Sequence, residues 1–256
     1  MDAKYIPANS YEIKKGEVGV VWLGQAGFMF IDKSGHKIML DPYASDSCER
    51  LCGFRRLSPF PFKEDELECD TLLLSHQHED HYDMDYVPSL AKKCKMNIFA
   101  SPSAAALCKR DGIDMTTVTE IARGQHFEDG GIKMQGVFSD HGEMAPDALG
   151  FIIDIDGYVI YITGDTGYNI DKIKEAVTVT PDLLIAPING AFGNLNEEEA
   201  ANLTIELGAK TVIPCHFWTF MQHGGNPQKF AEIAEEKGIS DRVKFMRPGN
   251  IAILSK

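Results

Sequence analysis

The segment His76–His81 places three imidazoles and a carboxylate within six residues, directly after a short apolar run, Thr71–Leu74, that is typical of a buried strand. Such polar groups are not easily packed without partners, because each unpaired group costs roughly 1–3 kcal/mol when it leaves water. Imidazole nitrogens and carboxylate oxygens are the ligands that Zn, Mn and Fe accept. The segment therefore indicates a strand that delivers a metal site rather than a solvated, His-rich loop.

Within this segment the ligands divide between two ions. His76 and His78 lie two positions apart on an extended stretch, so their side chains point to the same side and can bind one ion. Asp80 and His81 follow the bend and are placed to serve a second ion nearby.

Composition limits the class of protein. A chain of 256 residues, 44% of them apolar, suffices for one α/β domain spanning 1–256. The 25 basic and 38 acidic residues give a net charge of −13, which argues against nucleic acid as a partner but not against a small anionic substrate at a metal ion. The six cysteines show no paired C-x-x-C spacing, which is typical of reduced thiols. Without an apolar leader or a membrane-length apolar run, we expect a cytoplasmic protein with no membrane partner.

Apolar runs bounded by turn residues predict strands at 18–23, 27–32, 37–40, 71–74, 97–100, 116–121, 126–128, 132–138, 149–155, 158–163, 183–186, 210–214, 243–246 and 251–254. Helices are predicted at 84–94, 102–110 and 168–177, from Asn196 to Gly208, and from Asn226 to Gly238. Hairpin strands followed by strand–helix units occur twice. This order predicts two sheets packed face to face with helices outside, a four-layer αββα sandwich, rather than one doubly wound sheet.

The segment 43–62 shows no periodicity and contains two prolines, so it is predicted to be an irregular loop that acts as a lid or an oligomer contact. Its two arginines, Arg55 and Arg56, either clamp an anion or lie on the surface.

Three more candidate ligands follow other predicted strands: His141, Asp165 and His216. Taken singly, either histidine is better explained as a core or surface residue, but their shared placement at strand ends favours a common site. We predict a first site of His76, His78 and His141, a second site of Asp80, His81 and His216, and Asp165 as a bridge between them.

These residues resemble the signature of the metallo-β-lactamase superfamily, in which H-x-H-x-D-H corresponds to His76–His81. The later ligands of that superfamily match His141 in Asp-His-Gly, Asp165 in Gly-Asp-Thr and His216 in Pro-Cys-His. The resemblance implies the αββα fold. Within the superfamily the chain is most similar to the L-ascorbate-6-phosphate lactonase group, through segments 22–27, 41–48, 188–190 and 218–227, and that similarity implies a homo-oligomer.

The expected activity is that of a metal-dependent hydrolase, in which a metal-bound hydroxide attacks a small anionic ester or lactone, such as the sugar-phosphate lactone L-ascorbate 6-phosphate. One or two divalent ions, Mn²⁺ or Zn²⁺ with Fe also acceptable, lower the pKa of bound water to about 7. Asp80 is expected to orient the nucleophile and pass its proton to the leaving group. Asp41 either hydrogen-bonds a ligand imidazole or caps its strand. The alternatives are a phosphodiesterase and, from the resemblance, a non-hydrolytic di-metal redox protein.

Candidate substrate-binding residues lie in three turns. Gln25 is a polar residue at a strand end, and Asn194 and His223 are placed to line the pocket for the anionic part of the substrate. Gly225 and Asn226 precede a predicted helix, whose N-terminal amides favour a phosphate. The alternative function of Asn226 is simple helix capping.

Overall fold

The strands of the computed structural model, which describes residues 12–63 and 66–256, form two mixed sheets. The strands are β1 Glu17–Gly24, β2 Gly27–Ile31, β3 Lys37–Leu40, β4 Thr71–Leu74, β5 Asn97–Ala100, β6 Val118–Glu120, β7 His126–Asp129, β8 Ile132–Phe138, β9 Leu149–Ile155, β10 Tyr158–Ile162, β11 Leu183–Pro187, β12 Thr211–Cys215 and β13 Ile251–Ser255. The helices are α1 Ser47–Cys52, α2 Tyr86–Lys93, α3 Pro102–Arg110, α4 Ile170–Ala176, α5 Glu197–Glu206 and α6 Pro227–Glu236. None of the helices in the described ranges combines the length and the apolar character that crossing a membrane requires.

The first sheet has seven strands in the order β13-β1-β2-β3-β4-β5-β6, and it is antiparallel from β13 to β3 and parallel from β3 to β6. The second has six strands in the order β12-β11-β10-β9-β8-β7, and it is parallel from β12 to β10 and antiparallel from β10 to β7. Consequently β3 and β4 run the same way in the first sheet, and β8, β10, β11 and β12 run the same way in the second.

Strand β1 shows that the first sheet is buried on both faces. Its residues Val18, Val20 and Trp22 pack in the cluster between the sheets, whereas Val21 and Leu23 pack in a second cluster with α2 and α3. Helices α4, α5 and α6 contribute buried apolar residues to the second sheet. Alternating side chains of a strand point to opposite faces, so this division places helices outside both sheets. The predicted four-layer αββα sandwich is confirmed.

Two predicted strands differ from the structure. In 116–121 the strand is confined to β6, because the Asp114 carboxylate accepts a hydrogen bond from the Thr116 amide and bends the chain into a 3₁₀ turn. The segment 243–246 is not a strand: Val243 forms only an isolated bridge to Val212.

The segment 43–62 is more ordered than predicted. It contains α1, which ends at Gly53 in the left-handed conformation (φ 72°). The guanidinium of Arg56 donates to the carbonyls of Tyr43 and Ser45 and lies 4.2 Å from the Tyr43 ring centroid. Arg56 therefore holds the segment together, while Arg55 is exposed. The function of the segment as a lid or an oligomer contact stays a prediction.

The carboxylate of Asp83 fastens the start of this segment to the start of α2. It is fully buried and accepts hydrogen bonds from the amides of Ala44, Ser45, Asp85 and Tyr86 and from the Ser45 hydroxyl. Every partner is a donor, so the site requires an acceptor at both oxygens.

Replacing Asp83 by asparagine should lower the free energy of unfolding by about 2 kcal/mol. The new NH₂ group replaces one carboxylate oxygen and faces N–H or O–H donors, so the hydrogen bonds to that oxygen are lost. Urea unfolding followed by circular dichroism measures this change. Asp85→Asn is the matched control: Asp85 is 45% exposed in an ion pair with Arg50, and its loss should cost less than about 1 kcal/mol. Equal losses in the two variants would contradict this account of Asp83.

Candidate metal centre

The predicted ligands meet at one edge of the sandwich, where strands of both sheets end. His76, His78, Asp80 and His81 follow β4 of the first sheet, while His141, Asp165 and His216 follow β8, β10 and β12 of the second. His78 and Asp80 are half-buried, and the other five are buried. Residues separated by as many as 140 positions in the chain thus form one cluster because of the strand order.

The first group consists of three imidazoles. Nδ1 of His78 lies 3.0 Å from Nε2 of His76 and 3.2 Å from Nε2 of His141. One ring nitrogen has either a single hydrogen or a single lone pair, so it can hydrogen-bond well to only one of these neighbours. Ring nitrogens of all three residues lie within 4.8 Å of one another, an arrangement that a divalent cation accommodates.

The second group combines imidazoles and carboxylates. Oδ1 of Asp165 lies 3.2 Å from Nε2 of both His81 and His216, and Oδ2 of Asp80 lies 3.3 Å from Nε2 of His216. The other oxygen of Asp165, Oδ2, lies 3.8 Å from Nε2 of His141 in the first group. Asp165 therefore faces both groups, one oxygen to each, as its predicted bridging position requires.

Two buried atoms without hydrogen bonds indicate that these residues suit a metal ion. Nε2 of His81 and Oδ1 of Asp165 are both buried and neither forms a hydrogen bond. Buried polar atoms are normally satisfied, so two orphaned ligand-type atoms that face each other fit a bound metal cation. The donor set of nitrogen and carboxylate oxygen matches Zn, Mn and Fe.

Asp41 and Asn194 orient two of the ligands from behind. Oδ2 of Asp41 lies 2.8 Å from Nδ1 of His81, and Asp41 also accepts hydrogen bonds from the amide and hydroxyl of Ser75. This contact turns Nε2 of His81 toward the centre. The Asn194 amide donates to Oδ2 of Asp165 at 2.8 Å. Asp41 thus lies at the imidazole it was predicted to contact, whereas Asn194 contacts a ligand and does not line the cavity.

Gln25 lies behind Asp80 rather than in the open cavity. It is fully buried, and its Nε2 donates to Oδ2 of Asp80 at 2.7 Å and lies 2.9 Å from Nδ1 of His223. The same nitrogen is 3.1 Å from Nε2 of His216. Gln25 was predicted to bind substrate, but its contacts position Asp80 and His223.

His223 closes one side of the second group. Its ring stacks on His216 with centroids 4.8 Å apart and an interplanar angle of 13°. Together with Asp80 and His216 it forms a further set of possible ligands within 4.8 Å. It borders a cavity of about 190 Å³ that opens onto both groups.

The structure does not bring Gly225 and Asn226 to this cavity. The Asn226 side chain accepts from the amides of Gln228 and Lys229, and its own amide donates to Glu197. These bonds occupy the start of α6, so the predicted phosphate site there is wrong and the capping alternative holds.

The other walls of the cavity contain residues that were not predicted as part of the site: Cys48, Cys52, Phe54, Glu79, Met144, Phe192 and Phe220. Most of them lie in irregular stretches or in the short helix α1, where periodicity provides no signal. Their only sequence cue is that they flank the strand-end motifs.

Burial and charge set the protonation of the ligands. Burial lowers the pKa of His141 to about 4 and that of His76 well below its ordinary value, so both are neutral at pH 7. Burial also acts to lower the pKa of His216, but the nearby charges of Asp165 and Asp80, 3.2 and 3.3 Å from its Nε2, outweigh burial and raise this pKa to about 9. Because metal ligands must be neutral imidazoles, a metal must displace a proton from His216.

Residues 19–216 match the family model described as the beta-lactamase superfamily domain. A UPF0173 metal-dependent hydrolase from Herpetosiphon aurantiacus is 27% identical over 240 residues, covering 90% of this chain and 95% of that protein.

Two solved structures show the same fold. One is Igni18, a metallo hydrolase from Ignicoccus hospitalis, with a TM-score of 0.75, 22% identity and coverage of 94% of this chain and 99% of that one. The other is an isothiocyanate hydrolase from Delia radicum gut bacteria, with a TM-score of 0.72, 19% identity and coverage of 93% and 99%. At these identities the likeness extends to the fold alone.

Removing one imidazole should remove metal. His78→Ala should retain less divalent metal after dialysis than the parent protein, because the first group then has only two imidazoles. Metal content by mass spectrometry measures this. His126→Ala, an exposed histidine on β7 outside both groups, is the control and should retain the parental amount. Unchanged metal in His78→Ala would contradict the assignment of the first group.

Metal affinity should rise with pH. In the metal-free protein the pKa of His216 is about 9, so below pH 9 a proton competes with the metal and above it the competition ends. Affinity should therefore fall by about tenfold for each pH unit below 9 for the His216 proton. The total fall should be steeper, because the charges of Asp165, Asp80 and Asp41 outweigh burial and hold the pKa of His81 well above its ordinary value, so His81 also loses a proton. Competition with a chromogenic chelator at pH 6.5, 7.5 and 8.5, corrected for the pH dependence of the chelator, measures it. A pH-independent affinity would contradict the protonation assigned to His216.

Proposed function

The chain belongs to the beta-lactamase superfamily, and within it we propose that the protein is a metal-dependent hydrolase acting on the carbonyl carbon of a small ester or lactone. The observation that carries the proposal is the pair of ligand groups that share Asp165 and border one small cavity. Relatives named as metal-dependent hydrolases, similar over nine-tenths of the chain, support the reaction class.

The metal ligands in this proposal are those predicted from the sequence. His76, His78 and His141 hold one ion, and Asp80, His81 and His216 hold a second, with Asp165 between the two groups. When bound, a divalent ion supplies an activated water nucleophile at neutral pH and a positive charge that faces the developing oxyanion. Mn²⁺, Zn²⁺ and Fe²⁺ all suit this donor set.

Asp80 is the residue placed to handle the proton. Its Oδ2 is held by the Gln25 amide and by the neighbouring His216, while the half-buried side chain borders the cavity. A carboxylate held in this way can orient the attacking water and then pass the proton to the leaving oxygen. Burial by itself raises the pKa of Asp80, but His81 and His216 more than offset it, so in the metal-free protein its pKa lies well below the ordinary value and the carboxylate is ionised.

The charge of the cavity lining favours a carbonyl substrate over a phosphodiester. A phosphodiesterase is the alternative, but Glu79 borders the cavity, and the described lining residues include neither lysine nor arginine. A carbonyl substrate does not need such a cation beyond the metal. The finer sequence-based hypothesis, a phosphorylated lactone such as L-ascorbate 6-phosphate, relied partly on the start of α6, which is occupied by its own cap. L-ascorbate 6-phosphate is therefore one of the three substrates in the assay described next.

The protein should hydrolyse a lactone only when metal is bound. Chelator-treated protein reloaded with Mn²⁺, Zn²⁺ or Fe²⁺ is assayed on dihydrocoumarin, L-ascorbate 6-phosphate and bis-p-nitrophenyl phosphate. We expect turnover of dihydrocoumarin that chelation abolishes and metal restores. Asp80→Asn should lower kcat at least about a hundredfold because the proton carrier is lost.

Asp154→Asn is the same change on β9, where the Asp154 side chain accepts from the Gly157 amide in the turn to β10. This variant serves as the control and should keep the parental rate. Metal content is measured in parallel for both variants. Faster turnover of the phosphodiester, or lactone turnover without metal, would overturn the proposal.

A further inference from the structure

One wall of the metal cavity is built from three phenylalanines that come from different parts of the chain. Phe54 follows α1, Phe192 follows β11 and Phe220 follows β12. All three surround the ring of His223, with centroid distances of 5.9 Å from Phe54, 5.3 Å from Phe192 and 4.9 Å from Phe220. Phe54 also lies 5.9 Å from each of the other two phenylalanine rings. We call Phe54, Phe192 and Phe220 the aromatic wall.

Phe192 is held in this wall by strained backbone. Its φ of 54° lies in the left-handed region, which phenylalanine rarely adopts because Cβ crowds the following carbonyl. Phe192 is also 46% exposed, so burial in the free protein offsets only part of the strain. Strained residues that persist beside a catalytic cavity point to function.

The same turn serves the metal centre. The backbone N–H of Asn194 donates to the Ala191 carbonyl at 3.0 Å and closes the turn. The side-chain amide of Asn194 donates to Asp165. A single turn thus sets a carboxylate of the metal centre and places Phe192 at the cavity. Phe192 therefore has a fixed position relative to the metal centre.

The charge of the cavity lining determines which substrate substituent can pack against the aromatic wall. The described cavity lining contains no lysine or arginine, and Glu79 adds a negative charge at the rim. An anionic substituent would lose hydration there without gaining a partner. A phenyl or alkyl group would instead cover the exposed face of Phe192 and pack against the other two rings.

On the basis of the proposed hydrolase function, we infer that the aromatic wall is a substrate subsite that accepts an uncharged, apolar substituent, an aryl or short alkyl group, on the ester or lactone. The cavity of about 190 Å³ has room for a substituent of roughly the size of one phenyl ring. Substrates with a phosphate or carboxylate at the same position are disfavoured.

A matched series of γ-butyrolactones tests the subsite with the metal-loaded protein. The three compounds share the lactone carbonyl and carry hydrogen, phenyl or carboxylate at the γ carbon. Because the γ substituent also alters the leaving alkoxide, each kcat/KM is divided by the rate of hydroxide hydrolysis of the same compound. We expect kcat/KM for the phenyl compound to exceed that of the unsubstituted lactone at least tenfold, and the carboxylate compound to be the slowest. Preference for the carboxylate, or no difference across the series, would overturn the inference.

Variants locate the preference at the aromatic wall. Phe192→Ala should reduce the phenyl-to-hydrogen ratio of kcat/KM at least fivefold, and Phe192→Leu, which restores apolar volume, should recover most of it. Phe245→Ala is the matched control, since Phe245 is also 46% exposed but borders a different groove, and it should leave the ratio unchanged. Loss of the ratio in Phe245→Ala, or its retention in Phe192→Ala, would contradict the inference.

Binding without chemistry separates this inference from the proposed function. Saturation-transfer NMR with 2-phenyltetrahydrofuran and tetrahydrofuran-2-carboxylate, which lack the lactone carbonyl and cannot be hydrolysed, probes the subsite directly. Binding of the phenyl compound that Phe192→Ala weakens supports the subsite even if no lactone is turned over, and in that case only the hydrolase proposal fails. Stronger binding of the carboxylate compound would overturn the subsite whatever the turnover.

Discussion

Five imidazoles and two carboxylates lie together at one edge of the sandwich, and the surrounding structure must hold them there. Each charged group removed from water carries a desolvation cost of several kcal/mol, which only opposite charges and hydrogen bonds can offset. The contacts of Asp165 with His81 and His216 provide part of this offset. The atoms left without hydrogen bonds, Nε2 of His81 and Oδ1 of Asp165, are those that a cation would satisfy.

Backbone strain at the strand ends brings these groups to one point. Gln25, Asp41 and His216 have φ values of 52°, 40° and 59°, in the left-handed region. Each follows its strand directly, so one residue turns the chain out of the sheet and leaves its side chain at the edge. Their hydrogen bonds tie the two sheets together: the His216 amide donates to the Gln25 carbonyl at 3.1 Å. Strain of this kind persists only where neighbouring contacts over-determine the conformation.

The fold and the clustering of the candidate ligands were predictable from the sequence because both leave local signals. His76–His81 is contiguous, and the strands that carry His141, Asp165 and His216 are apolar runs. The helix start at Asn196, with its reciprocal bonds to Glu199, also follows from local chemistry. Helix α1 was not predictable, because the contacts that hold its segment, those of Arg56 and Asp83, are tertiary.

The errors in the candidate site have the same origin. Gln25 could be recognised as a polar strand-end residue, but its partners Asp80 and His223 are 55 and 198 positions away. Asn226 could be recognised before a helix, yet only the structure shows that its side chain occupies the amides that a phosphate would need. The aromatic wall depends on three loops meeting, and no period in the sequence encodes that meeting.

The metal ligands and the aromatic wall therefore differ in how much sequence change they tolerate. The ligands stand at strand ends, where sheet register fixes them, whereas Phe54 and Phe220 stand in connections that can vary without shifting a strand. Phe192 is the exception, because its turn also carries Asn194 and so reaches Asp165. A substitution at Phe54 is expected to alter only the fit of the substituent. One at Phe192 can alter both that fit and the carboxylate between the two ligand groups, so specificity and metal chemistry are coupled at this turn.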